Sequence, residues 1–326
     1  MADKNRSLFR RAAHKVFRIS ERYFNQRRAY DYPPVATSVL KHPSPVLGDV
    51  MSGSMFDPCV VELPEGGLAM FVSRRDKGSI ERWDSKDGIA WNYKSTALSP
   101  TVDASAWDST VNRAGVLLSS SGWLMWYTGQ NGGSSAIGFA TSVDGLTFKR
   151  VVATPVIAPE LEHEGGSAMN PCVMAEGNGY RMWYAAGEDY EPDVICEARS
   201  NDGANWEKLV KPVLTKGNEP YDAHKVGGCS VLRLSELSLA MFYIGYQNLD
   251  VARICLALSD DNGLTWRRSS VNPLVGPERN AWDSHSVYKP SALLGRDGVV
   301  KLWYNARKNR NEYVGFATIK DIGCLI

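Results

Sequence analysis

One short pattern recurs four times along the chain: Ser85-Lys-Asp-Gly-Ile-Ala-Trp91, Ser142-Val-Asp-Gly-Leu-Thr-Phe148, Ser200-Asn-Asp-Gly-Ala-Asn-Trp206 and Ser259-Asp-Asp-Asn-Gly-Leu-Thr-Trp266. Successive copies start 57, 58 and 59 residues apart. A fixed period of this size means that each repeat is one supersecondary unit that buries its core against its neighbours. Asp-Gly before an aromatic is a hairpin signal. The turn needs φ > 0, and the ring packs on the neighbouring strand.

Each turn follows a set of strand-like segments. An aromatic strand recurs as Leu68–Val72, Trp123–Tyr127, Tyr180–Tyr184, Leu239–Tyr243 and Val300–Tyr304. A second strand precedes the turn, as in Ile137–Thr141 and Ile254–Leu258. A short strand after a polar stretch lies upstream, at Pro58–Val61, Ala114–Leu118, Pro171–Met174, Cys229–Leu232 and Pro290–Leu294. Pro-containing stretches follow the turns, as in Pro155-Val-Ile157, Pro212-Val-Leu214 and Pro273-Leu-Val275. The arrangement predicts an all-β fold, a five-bladed β-propeller with four-stranded blades. The fifth unit ends at Val314–Thr318 without its last strand, and Pro43-Ser-Pro-Val-Leu47 matches the missing piece. Residues near 35–47 are therefore expected to close the ring and remove two exposed edges. A two-sheet sandwich would not explain units in register with one displaced terminal strand.

Residues 1–32 read as a separate basic N-terminal helix and 33–326 as the propeller. The first thirty residues carry nine Lys/Arg against Asp3 and Glu21, with Leu8, Ala12, Val16 and Ile19 at helical spacing. Such a helix packs on a domain edge or lies on an anionic membrane surface. No signal peptide and no bilayer-length apolar run is visible, so a cytoplasmic, peripherally membrane-associated location is expected. Lys+Arg 37 nearly cancel Asp+Glu 36, which gives no bias toward nucleic acid. The six cysteines form no C-x-x-C pair, and no metal or other cofactor is expected.

In a propeller the first strand of each blade lines the central channel. The residues opening those strands are Asp57, Asn112-Arg113, Asn170, Gly227-Gly228 with Lys225, and Lys289. Slightly upstream lie Asp108, His163-Glu164, Asp222 with His224, and Asp283 with His285. Ionisable groups around one axis are costly unless they pair or meet a ligand, so the set marks a candidate site. Asp57 is the sharpest catalytic candidate. Asp108, Glu164, Asp222 and Asp283 are candidates for the second carboxylate that glycosidic chemistry normally uses. Arg74, Arg75, Arg113, Asn170, His224, Lys225, His285 and Lys289 are candidate substrate-binding residues. Trp107 is a candidate stacking surface for a sugar ring.

The Phe56-Asp57-Pro58 opening, the repeated Ser-x-Asp-Gly turns and the Met-Trp-Tyr strands together resemble the five-bladed propeller superfamily of arabinanases, xylosidases, invertases, levansucrases and mannoside phosphorylases. The resemblance spans roughly residues 35–320. The Ser259–Trp266 turn also resembles the Asp-box of sialidases. Family members that cleave furanosides and xylosides carry an Asp in blade one, an Asp-Pro in blade three and a Glu opening blade four. Asp57 matches the first. The second position holds Asn170-Pro171 and the third reads Lys225-Val-Gly-Gly228. Lys225-Val-Gly with Met241–Tyr246 is closer to the mannoside phosphorylase branch, which binds phosphate with basic residues. Arg74, Arg75, Arg113, Lys225 and Lys289 would serve an anion here.

The resemblance implies a carbohydrate-active enzyme that breaks a glycosidic bond by hydrolysis or phosphorolysis, with carbohydrate, with or without phosphate, as its partner. The basic residues and the absent signal peptide leave two alternatives. One is a transferase that builds a surface polysaccharide from a phosphate-bearing sugar. The other, suggested by the missing carboxylates, is a propeller that binds carbohydrate without turnover.

Overall fold

The computed structural model describes residues 30–34, 36, 38–48, 53–188, 192–320 and 322–325. The helix expected over residues 1–32 falls almost entirely outside them. Among the described residues no helix is long and apolar enough to cross a membrane.

The described chain is dominated by antiparallel strands. β1 (Val39–Lys41) comes first. β2 (Met55–Glu62), β3 (Leu68–Arg74), β4 (Ser79–Ser85) and β5 (Asn92–Leu98) pair in sequence order. The same order repeats in β6 (Thr110–Ser119), β7 (Gly122–Asn131), β8 (Ser134–Ser142) and β9 (Lys149–Arg150). It repeats again in β10 (Ser167–Glu176), β11 (Gly179–Gly187), β12 (Val194–Ser200) and β13 (Glu207–Lys208). A parallel bridge from Ser167 to Ser135 joins these two units into one sheet. β14 (Lys225–Arg233), β15 (Leu239–Tyr246), β16 (Ala252–Ser259) and β17 (Arg267–Arg268) form the next unit.

In the last unit β18 (Ser286–Leu294), β19 (Val300–Lys308) and β20 (Asn311–Ile319) are completed by β1, which pairs antiparallel with β20. Leu47 also bridges Val314, as Ile157 bridges Ile137 and Leu214 bridges Ile195. The N-terminal Pro-Val-Leu therefore occupies the place that Pro-Val-Ile and Pro-Val-Leu take in other units.

The cores lie between units. Phe71 and Ile80 pack with Trp123 and Met125, and Trp126 and Phe139 with Met182 and Tyr184. Trp183 packs with Met241 and Tyr243, and Phe242 and Ile254 with Leu302 and Tyr304. Trp303 and Phe316 then return to Met55 and Met70 of the first unit. The first strands follow the same cycle, β2 on β6, β6 on β10, β10 on β14, β14 on β18 and β18 on β2.

The repeated turn is a joint between neighbours. Its aromatic meets the central aromatic of the preceding unit nearly at right angles: Phe148 on Phe71 (88°), Trp206 on Trp126 (82°), Trp266 on Trp183 (86°) and Trp91 on Trp303 (81°). The edge-to-face geometry suits the ring quadrupoles. Donors from the preceding unit also reach the turn carbonyls. Trp303 Nε1 donates to Gly88 O and Trp126 Nε1 to Gly203 O, both at 2.8 Å. Gly88 has φ +81°, and a Cβ there would lie 2.7 Å from the Trp303 ring, so backbone freedom and close approach both require glycine.

Candidate functional site

Each first strand breaks register near its start, between Phe56 and Cys59, Asn112 and Gly115, Met169 and Cys172, Gly227 and Cys229, and Tyr288 and Pro290. Such bulges re-aim side chains. Asp57, Arg113 and Asn170 sit in the first three with φ of 52°, 54° and 55°. Non-glycine residues in this region are strained and persist where their surroundings hold them. Ser73 Oγ accepts from Arg113 N–H at 2.8 Å, and Thr128 Oγ1 accepts from Asn170 N–H at 3.1 Å.

The bulges bring three residues from three units together. Arg113 Nε donates to Asp57 Oδ2 at 3.1 Å, and Asn170 Nδ2 donates to the same oxygen at 3.3 Å. Gly228 makes room for this. A Cβ on it would stand 2.8 Å from Asn170 Cβ. Gly228 of the fourth unit's Gly-Gly, where the resemblance implied a Glu, lies against the Asn170 side chain, while Gly227 lies against Pro192 and Tyr246.

Asp57 opens into a cavity of about 150 Å³ lined by Phe56, Asp57, Arg75, Arg113, Asn170, Pro192, Ile244, Tyr246, Leu249, Tyr288, Asn305, Arg307 and Glu312. Arg75 forms a bidentate pair with Glu312 (2.6 and 2.9 Å) and stacks over Phe56 at 4.3 Å. Burial pulls the Arg75 guanidinium down, but Glu312 more than offsets this and leaves it raised. Arg307 lies over the Tyr288 ring at 5.6 Å, and its Nη2 donates to Asp250 O at 3.3 Å. Its Nε and the buried Asn305 Oδ1 have no hydrogen-bond partner among the described residues. Three guanidiniums and two carboxylates thus line the cavity, with Arg113 paired to Asp57 and Arg75 to Glu312.

Several expected residues lie elsewhere. Asp108, Glu164, Asp222 and Asp283 do not line this cavity. Each lies in the segment leading into a first strand and pairs with a cation from the fourth strand of its own unit. Asp108 accepts from Arg150 Nε (2.6 Å) and Tyr127 Oη (3.0 Å). Glu164 accepts from Lys208 Nζ (3.0 Å) and Tyr184 Oη (2.5 Å). Asp222 accepts from Arg268 Nε (2.6 Å) and Tyr243 Oη (2.8 Å). Asp283 accepts from Lys41 Nζ of β1 at 2.5 Å. A buried carboxylate needs such partners, and here they come from within the unit.

Burial pushes the Asp108 and Glu164 carboxyls up, but their hydrogen bonds outweigh it and leave both lowered. For Asp283 burial wins over Lys41, and its carboxyl is raised. Trp107 stacks on Tyr127 (5.9 Å, 18°) and donates to Ala153 O, away from the cavity. Trp282 repeats this on Tyr304 (6.2 Å, 21°).

Among the expected cations, Arg74 is engaged by Asp76 and the buried Glu81. Lys225 is not among the residues that line the cavity, and its Nζ lies 4.9 Å from the Tyr246 ring centre. His224 is exposed, and His285 Nδ1 accepts from Asn309 N–H at 2.7 Å. Lys289 lines a different cavity and donates to Cys229 O at 2.8 Å. The cavity therefore gathers Asp57, Arg75, Arg113 and Asn170 from the expected set.

Phe56, Tyr246, Tyr288, Asn305, Arg307 and Glu312 were not among the expected binding residues. A signal for three of the cavity's residues does exist. Arg75, Tyr246 and Arg307 each stand four places after the central aromatic of their second strand, Phe71, Phe242 and Trp303.

A roomier groove of about 420 Å³ lies against the third unit, lined by Glu176, Asn178, Tyr180, Arg199 and Trp206 among others. All its lining residues fall within 176–207, so it is a feature of one unit. The smaller cavity draws residues from all five units and holds Asp57. Among the described residues no cluster of three or more His, Cys, Asp or Glu has the geometry of a metal site.

No protein-family model matches the chain. It is 32% identical over 185 residues to the uncharacterized protein Rv1502 of Mycobacterium tuberculosis, a match covering 51% of this chain and 57% of that protein. It is 31% identical over 129 residues to a β-1,2-mannobiose phosphorylase of Thermoanaerobacter sp., covering 34% and 42%. The chain thus spans about half the length of the curated relatives it matches. Among solved structures, a β-1,2-mannobiose phosphorylase from Listeria innocua in complex with β-1,2-mannobiose superposes with a TM-score of 0.68 at 14% identity, covering 88% of this chain and 98% of that one. A thermostable family-43 glycoside hydrolase superposes at 0.65 with 17% identity, covering 85% and 91%. The chain has the fold of the propeller enzymes of glycoside hydrolase families 43 and 130, the mannoside phosphorylases among them.

Proposed function

We propose that the chain is a five-bladed propeller closed by β1, and that its Asp57 cavity makes or breaks a glycosidic bond with phosphate or a phosphate-bearing sugar as the anionic partner. The cyclic packing of the first strands and the five inter-unit cores support the architecture. One observation carries the chemistry: Asp57, held by Arg113 and Asn170, faces a cavity where three guanidiniums meet two carboxylates. Guanidiniums recognise phosphate through paired N–H donors.

In the transfer direction the Asp57 carboxylate takes the proton of an attacking sugar hydroxyl. The bond from the anomeric carbon to phosphate breaks, and the phosphate leaves with the electron pair toward the guanidiniums. In the reverse direction phosphate attacks the anomeric carbon, and the protonated Asp57 gives its proton to the departing glycosidic oxygen. The mannobiose phosphorylase named among the sequence relatives makes mannosides the first substrates to try.

The test is to incubate the chain with glycosides plus phosphate, and separately with sugar 1-phosphates plus acceptor sugars. Turnover should require the anion, and Asp57→Asn should lower it by about 10²–10⁴-fold, the usual worth of a proton-transfer group. Phosphate-independent hydrolysis would overturn the anion assignment. Binding without turnover in both panels would place the chain with the non-catalytic carbohydrate binders.

The basic segment before Tyr30 is proposed to meet an anionic membrane surface. Deleting residues 1–29 should then abolish cosedimentation with anionic vesicles and leave turnover unchanged. Equal cosedimentation of the two forms would sink the idea.

A further inference from the structure

A second cavity lies further along the same first strands. It measures about 260 Å³, and all five units contribute to its wall. Cys59, Gly115, Cys172, Ser230 and Ser291 are equivalent in register, each opposite the central aromatic of its second strand: Phe71, Trp126, Trp183, Phe242 and Trp303. All five line this cavity. Four of them tie neighbouring units together by accepting a backbone N–H from the adjacent first strand. Val116 donates to Cys59 Sγ and Val231 to Cys172 Sγ, both at 3.3 Å. Ala292 donates to Ser230 Oγ at 3.0 Å and Val60 to Ser291 Oγ at 2.9 Å. At the fifth place the backbone comes close instead, since a Cβ on Gly115 would lie 2.5 Å from Pro171 O. These small residues are accounted for as joints between units.

Lys289 is not accounted for in this way. It lines the same cavity and is 4% exposed. Its ammonium donates to Cys229 O at 2.8 Å and Pro290 O at 3.2 Å. An ammonium has three N–H donors, so one remains. Arg113 and Arg181 meet the carboxylates of Asp57 and Glu197. No Asp or Glu lines the Lys289 cavity, and among the described residues none pairs with this lysine. A buried charge is costly without a counter-charge. Ser230 and Ser291 add two hydroxyls whose own protons are not used in the bonds they accept.

The rest of the wall is apolar, built mostly from Ala, Val, Leu and Met side chains. Residues 172–175 and 230–233 line it without a break. At about 3.3 Å per residue these runs give a depth of about 10 Å. Lys289 is buried at the bulge, whereas Ala175, at the far end of its run, is exposed. We propose that this cavity binds an organic monocarboxylate with an apolar tail, its carboxylate on Lys289 and its tail along the first strands toward Ala175. The ammonium supplies the charge and the walls take the hydrocarbon out of water. Free phosphate or an unmodified sugar would lose its hydration against an apolar wall. The binding draws on nothing in the Asp57 cavity.

The experiment is calorimetry on the full chain with octanoate, octanol and acetate as probes. Octanoate should bind, with octanol and acetate each at least about 10-fold weaker, because one lacks the charge and the other the tail. Lys289→Met should weaken octanoate by at least about 10-fold while the chain still melts cooperatively. Ala175→Trp, at the exposed rim, should weaken it too, and keeps the test available if Lys289→Met does not fold. Arg307→Met, which alters the Asp57 cavity, should leave octanoate affinity unchanged. Octanoate that gives no binding heat overturns the proposal, as does octanol or acetate binding as tightly. Affinity lost in Arg307→Met but kept in Ala175→Trp would put the carboxylate in the Asp57 cavity and overturn it as well.

Discussion

At the scale of single residues the site depends on what stands behind it. Asn170 reaches Asp57 because Gly228 leaves space under its side chain. Gly228→Ala would force a methyl group to within 2.8 Å of Asn170 Cβ. We expect a loss of about 1–3 kcal/mol, typical of overpacking, read from the urea midpoint. Turnover should fall further than stability, because Asn170 is displaced from Asp57. An unchanged urea midpoint and unchanged turnover would show that Asn170 is not packed there.

At the scale of elements the turns and the buried carboxylates share one logic, a negative group ringed by donors. Asp202 Oδ1 accepts from Ala204 and Asn205 N–H, and Asp261 Oδ1 from Thr265 N–H. These bonds hold the Asp87, Asp144, Asp202 and Asp261 carboxyls below the usual range. Hydrogen bonds lower Asp108 and Glu164 as well, despite their burial. A carboxyl lowered on folding contributes stability above its unfolded pKa, near 4, and loses it as pH falls through the folded value. The urea midpoint should therefore hold from pH 7 to about 5 and drop steadily below about 4. Asp283 works against the trend, since its raised carboxyl binds a proton more readily when folded. A midpoint that rose on acidification below about 4 would refute the account.

At the scale of the whole molecule, the last sheet rests on β1. It completes the last sheet, and Lys41 gives Asp283 the cation that Arg150, Lys208 and Arg268 supply elsewhere. Deleting residues 1–47 would expose the β20 edge and leave Asp283 buried without Lys41. The shortened chain should lose several degrees of thermal midpoint and associate through that edge, as light scattering would show. Lys41→Met isolates the ion pair. It should lower the midpoint without association, because the strand pairing is kept.

The repeat, the N-terminal segment that joins the last sheet and the first-strand openings of Asp57, Arg113 and Asn170 were legible in the sequence. Local signals carry them: turn chemistry, alternation and a constant period. Which polar residues meet was decided by the tertiary structure. Asp108, Glu164, Asp222 and Asp283 look the same in sequence as a catalytic set, yet each satisfies its charge within its own unit. Arg307 and Glu312 lie some 250 residues from Asp57 in sequence and line the same cavity because the chain returns on itself. Lys289 neighbours Tyr288 in sequence, yet at the register shift between Tyr288 and Pro290 it lines a cavity with Cys59 and Cys172 while Tyr288 lines the Asp57 cavity. Hydrophobic period and turn residues act over a few positions and specify units. The direction of a bulged side chain and the partner it meets depend on the neighbouring unit, which only the tertiary fold brings into place.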